Sequence, residues 1–162
     1  MKIMFQNNIE LRIGSTLISE LKRYVRENGT YRESGGILIG TRSTTQNIYE
    51  VTRITFPPAY DDLQRLSFTR HKARANGAIR SAWLNSNGKE NYLGEWHTHD
   101  EPSPRPSKMD ERAIKRLARH TSCSFEHLFL VILGNSNKIF IETATLPGGT
   151  ILGEEVELPW PD

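Results

Sequence analysis

Residues 94–110 read GEWHTHDEPSPRPSKMD, and this stretch decides both the predicted fold and the predicted chemistry. His97 and His99 are one residue apart, and Ser107 and Asp110 follow beyond a proline-rich segment. Aromatic and aliphatic residues before His97 favour a β-strand. Alternate residues of a strand point to the same face, so the two imidazoles are expected to reach one point.

The same stretch predicts a metal site. The prolines break regular structure after the strand, and a helix is expected to begin near Ser107 with Asp110 in its first turn. Two imidazoles and one carboxylate suit a zinc ion with three protein ligands and an open fourth position, which is the catalytic arrangement and not the structural one. We therefore predict one Zn²⁺ per chain, bound by His97, His99 and Asp110.

Two simpler interpretations compete with the metal site. A serine followed three residues later by an acid is also a helix-capping pattern, and histidines on a strand can be ordinary surface residues. Asp110, however, heads the apolar stripe that includes Ile114 and Leu117, and a carboxylate on a buried face usually needs a positive partner. The spacing and this burial argument together favour the metal.

Glu95 is the rival ligand, because it points to the same face of the strand as His97 and His99. A site made of these three residues would contain two histidines and one carboxylate. Asp110 ranks above Glu95, since otherwise the Ser-x-x-Asp spacing would be a coincidence. Trp96 points to the opposite face and is expected in the core.

A glutamate far upstream extends the pattern. Glu33 precedes a glycine-rich apolar segment, residues 34–40, in which Gly35 and Gly36 are expected to let another backbone approach closely. Together with His-x-His, seven residues and Ser-x-x-Asp, this segment resembles the signature of the JAMM metallopeptidases of the JAB/MPN superfamily, over residues 10–145. The phrase GEWHTH, the proline-rich loop and the short chain most resemble the bacterial deconjugating peptidases of CBASS anti-phage operons.

This resemblance implies a single JAMM/MPN metallopeptidase domain over residues 1–162. The implied fold is α/β, with a mixed central β-sheet flanked by helices, similar to cytidine deaminases. The resemblance also implies roles for two further residues: Glu33 would be the general base, and Ser107 would donate a hydrogen bond to the oxyanion. Without the resemblance, Glu33 would be interpreted as an exposed loop acid.

The resemblance further implies hydrolysis of a peptide or isopeptide bond after the C-terminus of a conjugated protein. The expected substrate is a conjugate of a cGAS/DncV-like nucleotidyltransferase (CD-NTase), presented as an extended C-terminal tail, in antiviral defence. Processing of a ubiquitin-like or sulfur-carrier protein and a non-catalytic MPN scaffold are the alternatives, although a scaffold typically loses metal ligands. A zinc nucleoside deaminase is disfavoured because the chain lacks paired cysteines.

One position departs from the resemblance. Many relatives have proline after the second histidine, where this chain has Asp100. Asp100 replaces no ligand, but a carboxylate at this place can alter either the electrostatics of the metal or the loop.

The composition is that of a globular chain. The sequence has 162 residues, of which 36% are hydrophobic, and this size suits one domain with a full core. No apolar run approaches a membrane span, and the N-terminus lacks the apolar core of a signal peptide. Cys123 is the single cysteine, so a cytoplasmic protein without membrane contact is expected. The net charge of +2 says little about nucleic acid, and none is expected as a partner.

The remaining sequence alternates between strand and helix patterns, which predicts the mixed sheet. Besides the histidine strand, the strands are expected at 9–13, 35–40, 48–56, 66–68, 126–133, 138–145 and 154–158, and the helices at 15–29, 69–85 and 107–120. Ser15 is expected to cap the first helix. Asp61 and Asp62 lie in a loop that is either a substrate-binding loop or an ordinary connector. His120 and His127 are expected at the surface or at helix ends.

A solvated helix face best explains the cluster of basic residues between positions 65 and 80. A patch that binds an acidic partner protein is the alternative. The residues of this cluster are Arg65, Arg70, Lys72, Arg74 and Arg80.

Overall fold

The computed structural model describes residues 1–57, 72–121 and 124–158. Within these ranges the chain forms strands and helices that interleave along the sequence. The strands are β1 (Lys2–Met4), β2 (Glu10–Ile13), β3 (Gly35–Arg42), β4 (Ile48–Ile54), β5 (Asn91–Thr98), β6 (His127–Leu133), β7 (Lys138–Thr145) and β8 (Ile151–Glu157). The helices are α1 (Ser15–Asn28), α2 (Lys72–Asn85) and α3 (Lys108–His120).

These strands form one sheet in the order β1-β2-β4-β3-β5-β6-β7-β8. β5 lies in its interior, antiparallel to β3 on one side and parallel to β6 on the other. β2 is also parallel to β4, whereas the other neighbours are antiparallel. The predicted α/β class with a mixed central sheet is thereby confirmed.

Helices cover both faces of the sheet. α1 packs on one face over the main core, which includes Trp96 and Phe129. α2 and α3 pack on the other face over two smaller cores. Trp96 is fully buried and donates its indole N–H to the carbonyl oxygen of Thr55 at 3.0 Å, which confirms its predicted place in the core. Because side chains alternate along β5, His97 points to the face opposite Trp96.

Several element bounds differ from those predicted. β1 has three residues, which is too short to show an alternating pattern in the sequence. β8 begins at Ile151, earlier than the predicted edge strand, because its whole length pairs with β7. The prediction of Ser15 as the cap of α1 was wrong, since Gly14 is the N-cap and Ser15 is the first helical residue. Glycine is tolerated at an N-cap with little loss of stability.

Some predicted features fall outside the described residues. They are the strand at 66–68, the helix start at 69–71, the acids Asp61 and Asp62, Cys123, Arg65, Arg70 and the side chain of Lys72. The remainder of that helix is confirmed as α2, on which Arg74 and Arg80 are exposed, as a solvated face requires. None of the described helices has the length and apolar character needed to cross a membrane.

His120 is exposed at the end of α3, as expected, but the prediction of a surface position for His127 was wrong. The His127 residue is only 6% exposed, and its Nδ1 lies 2.9 Å from the Tyr49 hydroxyl oxygen. It begins β6, a strand in which every residue is buried. Tyr49 of β4 also packs edge-on against the imidazole, with ring centroids 5.6 Å apart.

We expect His127 to make the stability of the fold depend on pH. Burial lowers the pKa of His127, so the folded state favours the neutral imidazole, whereas the unfolded chain takes up a proton at about pH 6.5. The contribution of His127 is therefore fully present above about pH 6.5 and is lost as the pH falls from there through the lowered folded pKa. Urea unfolding measures this effect as the fall in the free energy of unfolding between about pH 7.5 and pH 5.5. This fall should be smaller in His127→Gln than in wild type. His120→Gln is the control and should keep the wild-type pH dependence; an unchanged dependence in His127→Gln would contradict the prediction.

We also expect Gly94 to be required for the pairing of β5 with β6. Its φ of +143° disfavours an L side chain, and a Cβ would meet the carbonyl oxygen of Phe129 at 1.8 Å. Gly94→Ala should therefore lower the free energy of unfolding by about 2–5 kcal/mol, through backbone strain and overpacking. Gly77→Ala is the matched control, because a Cβ at this position in α2 meets nothing within 4 Å. Gly77→Ala should raise the free energy of unfolding by about 0.5–1 kcal/mol. Equal effects of Gly94→Ala and Gly77→Ala would refute the requirement for glycine at position 94.

Candidate metal centre

The two histidines lie where β5 ends between its two neighbours. His97 is the second-last residue of β5, and His99 directly follows Thr98, the last residue of the strand. The backbone N–H of Thr98 donates to the Ser34 carbonyl at 2.8 Å, and that of His99 donates to the Leu133 carbonyl at 2.9 Å. The neighbours of β5 therefore fix the backbone that carries both imidazoles.

The first turn of α3 brings Asp110 to the same place. Ser107 is the N-cap, and its hydroxyl oxygen accepts a hydrogen bond from the Asp110 N–H at 3.2 Å. In return, Asp110 Oδ2 accepts from the Ser107 N–H at 2.7 Å, which completes a capping box. The capping interpretation of Ser107 and Asp110 is thus confirmed, and it coexists with the approach of Asp110 to the histidines.

Three ligand-type side chains converge at this point. His97 Nε2 lies 3.3 Å from Asp110 Oδ1, and His99 Nε2 lies 3.3 Å from Asp110 Oδ2. The two Nε2 atoms are 3.1 Å apart. The Asp110 side chain is 16% exposed, so the cluster is accessible from one side.

These distances fit a zinc ion. Nitrogen and oxygen ligands at about 2.0–2.1 Å from zinc in a tetrahedron lie about 3.3–3.4 Å from each other. The Nε2–Nε2 separation of 3.1 Å is close to this value, and each imidazole lies 3.3 Å from a different carboxylate oxygen of Asp110. One ligand atom from each of the three residues lies within 4.8 Å of the others, and the donor types are those that zinc takes. A site with three protein ligands leaves the fourth position for a reacting group.

Glu95 does not join this cluster. Among the described His, Cys, Asp and Glu side chains, those of His97, His99 and Asp110 form the group that can hold a metal ion. Glu95 Oε1 instead accepts a hydrogen bond from the Tyr92 hydroxyl at 3.1 Å. The geometry therefore favours Asp110 over Glu95 as the third ligand.

The pKa values of Asp110 and His99 are both shifted by their contact with each other. Burial disfavours the charged form of Asp110, but the hydrogen bonds with His97 and His99 outweigh it and hold the pKa of Asp110 far below its usual range. The hydrogen bond with Asp110 also raises the pKa of His99. A proton and a metal ion compete for the same imidazole nitrogen, so metal affinity should fall at acid pH.

Glu101 was not among the predicted site residues, and it contacts His99 at the second ring nitrogen. Glu101 Oε1 lies 3.3 Å from His99 Nδ1 and also accepts the Arg105 N–H at 3.0 Å. A carboxylate on the second ring nitrogen orients a metal-bound histidine and fixes its tautomer. The available signal was an acid two residues beyond the second histidine, but a loop with three prolines gives no direction for its side chain.

Glu33 lies at the edge of the cluster. In the antiparallel pairing of β3 with β5, Gly35 is opposite His97, and Glu33 lies two residues before Gly35 in the chain. After the hydrogen bond with Asp110, the charge of Glu33 is one of the smaller causes that raise the pKa of His99. The side chain of Glu33 is exposed to solvent.

Glycines allow this arrangement, as the sequence predicted. A Cβ on Gly35 would lie 2.2 Å from the Trp96 carbonyl oxygen and 2.9 Å from the Cβ of His97. A Cβ on Gly36 would lie 2.0 Å from the carbonyl oxygen of Thr55. A larger residue at Gly35 would therefore push β3 away from the histidine strand, and a larger residue at Gly36 would push it away from the segment that follows β4.

Metal binding should depend on Asp110 and not on Glu95. Asp110→Asn removes an anionic ligand and His97→Ala removes an imidazole, so both should lose most bound zinc, whereas Glu95→Gln should retain it. The measurement is zinc content after dialysis, with thermal unfolding to confirm that each variant is folded. Full zinc retention in Asp110→Asn together with loss in Glu95→Gln would transfer the ligand role to Glu95.

Comparisons with known proteins agree with the resemblance. The model of the family described as prokaryotic homologs of the JAB domain matches residues 17–144. A protein of Pseudomonas aeruginosa named CD-NTase/cGAS isopeptidase is 28% identical over 136 residues, which cover 84% of each chain. A protein of the same name from Vibrio cholerae serotype O1 is 31% identical over 121 residues, which cover 75% of this chain and 74% of the relative.

A solved structure shows the same fold. The solution structure of protein DSY2949 from Desulfitobacterium hafniense aligns with 92% of this chain and 91% of its own, with a TM-score of 0.57 and 20% sequence identity. The family match spans Glu33 and all three side chains of the cluster. The predicted resemblance is therefore confirmed, and the chain belongs to the family of prokaryotic homologues of the JAB domain.

Proposed function

We propose that this protein is a zinc-dependent isopeptidase that releases a CD-NTase from the proteins to which it is conjugated. The observation that carries the proposal is the convergence of His97, His99 and Asp110, whose ligand atoms lie within 4.8 Å of one another, together with the charge of Glu33 acting on His99. Relatives named CD-NTase/cGAS isopeptidase support the substrate class. We place the reaction in the cytoplasm, where reducing conditions suit a chain with one cysteine.

The ligand set defines what the metal contributes. When bound, zinc supplies Lewis-acid chemistry, which polarises the scissile carbonyl and makes water a stronger acid. His97, His99 and Asp110 would hold the ion, and Glu101 would fix the orientation of the His99 ring through the 3.3 Å contact at Nδ1. The hydrolysis of an amide then still requires proton transfer and a donor to the oxyanion, which the protein must provide.

Glu33 and Ser107 meet these two requirements in the proposed mechanism. Glu33 takes the proton from the attacking water and passes it to the leaving amine. The Ser107 oxygen acts as acceptor in the capping box, so its O–H remains to donate a hydrogen bond to the tetrahedral oxyanion. The helix cap thereby fixes the hydroxyl that stabilises the developing charge.

The substrate is proposed to present an extended C-terminal tail. β5 is paired on both sides, so a tail cannot add a strand to the histidine strand itself. A tail that pairs with another backbone edge leaves only a few pockets to read its side chains. Residues of the tail next to the cleaved bond are therefore expected to be small or tightly specified, and a substitution scan of the tail will measure this.

Glu33→Gln should separate chemistry from metal binding. Loss of a general base typically costs on the order of 10²–10⁴ in rate, and more when the same group also acts as the acid. Because Glu33 is not a proposed ligand, the variant should keep its zinc and fold, and it should still bind the uncleaved conjugate. The experiment compares cleavage of a CD-NTase fusion and of a ubiquitin-like fusion by wild type and Glu33→Gln, with zinc measured in both.

His97→Ala is the matched comparison, because it should lose the metal together with the activity. Equal cleavage by wild type and Glu33→Gln would remove Glu33 from the mechanism. Cleavage of the ubiquitin-like fusion but not of the CD-NTase fusion would keep the peptidase and change its substrate. A wild-type protein that binds zinc but cleaves neither fusion would support the non-catalytic scaffold.

A further inference from the structure

Asp100 joins three segments of the chain at the edge of the metal centre. Its Oδ1 accepts a hydrogen bond from the Thr30 hydroxyl at 2.7 Å and another from the Asn135 side-chain amide at 3.1 Å. Thr30 lies between α1 and β3, and Asn135 lies in the turn between β6 and β7. One carboxylate oxygen therefore ties the segment before Glu33 to the segment after His99.

The segment that carries Glu33 is held at both ends by this part of the chain. At one end, the Ser34 N–H donates to the Thr98 hydroxyl oxygen at 3.0 Å, and the Thr98 N–H donates back to the Ser34 carbonyl at 2.8 Å. At the other end, Thr30 is only 5% exposed and donates to Asp100. The three residues between these anchors, 31–33, are exposed, and the Arg32 carbonyl oxygen accepts a long hydrogen bond of 3.5 Å from the Thr98 hydroxyl.

The two anchors differ in what else supports them. Ser34 is buried beside the paired strand β3 and also forms a hydrogen bond with the Tyr24 hydroxyl of α1. Thr30 lies outside both α1 and β3 and directly follows Gly29, whose N–H caps α1 by donating to the Val25 carbonyl at 2.8 Å. The side-chain hydrogen bond with Asp100 links Thr30 to the loop of residues 100–106 that follows His99, here called the metal loop. Removal of that contact should release the segment at the Thr30 end and leave the Ser34 end paired.

We propose that Asp100 is a positioning residue that clamps the Glu33 segment over the metal centre through Thr30. The clamp rests on the proposed function, because its effect on rate requires Glu33 to be the general base. A displacement of about 1 Å at a reacting group can cost on the order of 10²-fold in rate. Asp100→Ala should therefore lower kcat by about 10- to 100-fold with full zinc content and little change in KM.

Four variants separate a hydrogen-bonding clamp from other effects. Thr30→Val removes the donor and should reproduce the loss of Asp100→Ala, and the double variant should be no worse than either single variant. Asp100→Asn keeps an oxygen that accepts from Thr30, so it should retain most of the wild-type rate. Thr45→Val, an exposed threonine in the turn between β3 and β4, is the control and should have no effect. A loss in Asp100→Asn as large as in Asp100→Ala would show that the charge matters and would overturn the clamp.

A second cycle tests whether Asp100 acts through Glu33. In the Glu33→Gln background, Asp100→Ala should cause no further fall in the residual rate, because the group that it positions is already absent. A further fall of the same size as in wild type would assign Asp100 an effect independent of Glu33 and would overturn the proposal.

Hydrogen exchange gives a readout that does not depend on turnover. The Gly29 amide, which donates to the Val25 carbonyl directly before Thr30, should exchange at least several-fold faster in Asp100→Ala and Thr30→Val than in wild type, whereas the amides of 35–42 should not change. Unchanged exchange at Gly29 would overturn the clamp even if the wild type cleaves its substrate. If no conjugate is cleaved but exchange rises as expected, the clamp stands and the proposed function fails, so the two failures are distinguishable.

Discussion

The close approach of β3 to β5 is the contact on which the rest of the site depends. A side chain at Gly35 would collide with the backbone of Trp96, so the register is possible only because this residue is glycine. That register sets Ser34, the neighbour of Glu33 in the chain, against Thr98. The charge of an acid more than sixty residues upstream in the sequence thereby acts on His99. The position of the proposed base is thus a property of strand pairing and not of the loop alone.

The position of Asp110 at a helix N-terminus serves two purposes at once. Its carboxylate closes the capping box with Ser107, and the positive end of the helix dipole stabilises the same negative charge. The carboxylate oxygens also face both imidazoles at 3.3 Å. The capping pattern and the predicted metal-ligand pattern are therefore compatible at Asp110. The cap fixes the rotamer of the acid, and this fixed rotamer is what a ligand requires.

The sequence predicts those parts of the molecule that follow local rules. The convergence of His97, His99 and Asp110 follows from the alternation of a strand and the first turn of a helix. His127 was misjudged because its burial comes from Tyr49 of β4, a contact across 78 residues that no local pattern reveals. The contact of Asp100 with Thr30 spans 70 residues and likewise depends on tertiary structure. Local periodicity therefore predicts the elements and the candidate ligands, but not the side chains that support them.

The turn between β6 and β7 is hydrogen-bonded to the loop that follows His99. Asn135 donates its backbone N–H to the carbonyl oxygen of Glu101 at 2.9 Å and its side-chain amide to Asp100. A Cβ on the preceding Gly134 would lie 2.6 Å from the same Glu101 carbonyl, so the turn and the loop are in close contact. The two consecutive acids have different partners: Asp100 accepts a hydrogen bond from Thr30, whereas Glu101 contacts His99. A proline at position 100 would stiffen the loop by fixing φ, but it would offer no acceptor to Thr30. Aspartate does not fix φ in this way, but it forms hydrogen bonds with Thr30 and Asn135 in two distant segments. In the proposed clamp, the segment that carries Glu33 and the loop after His99 are therefore ordered together.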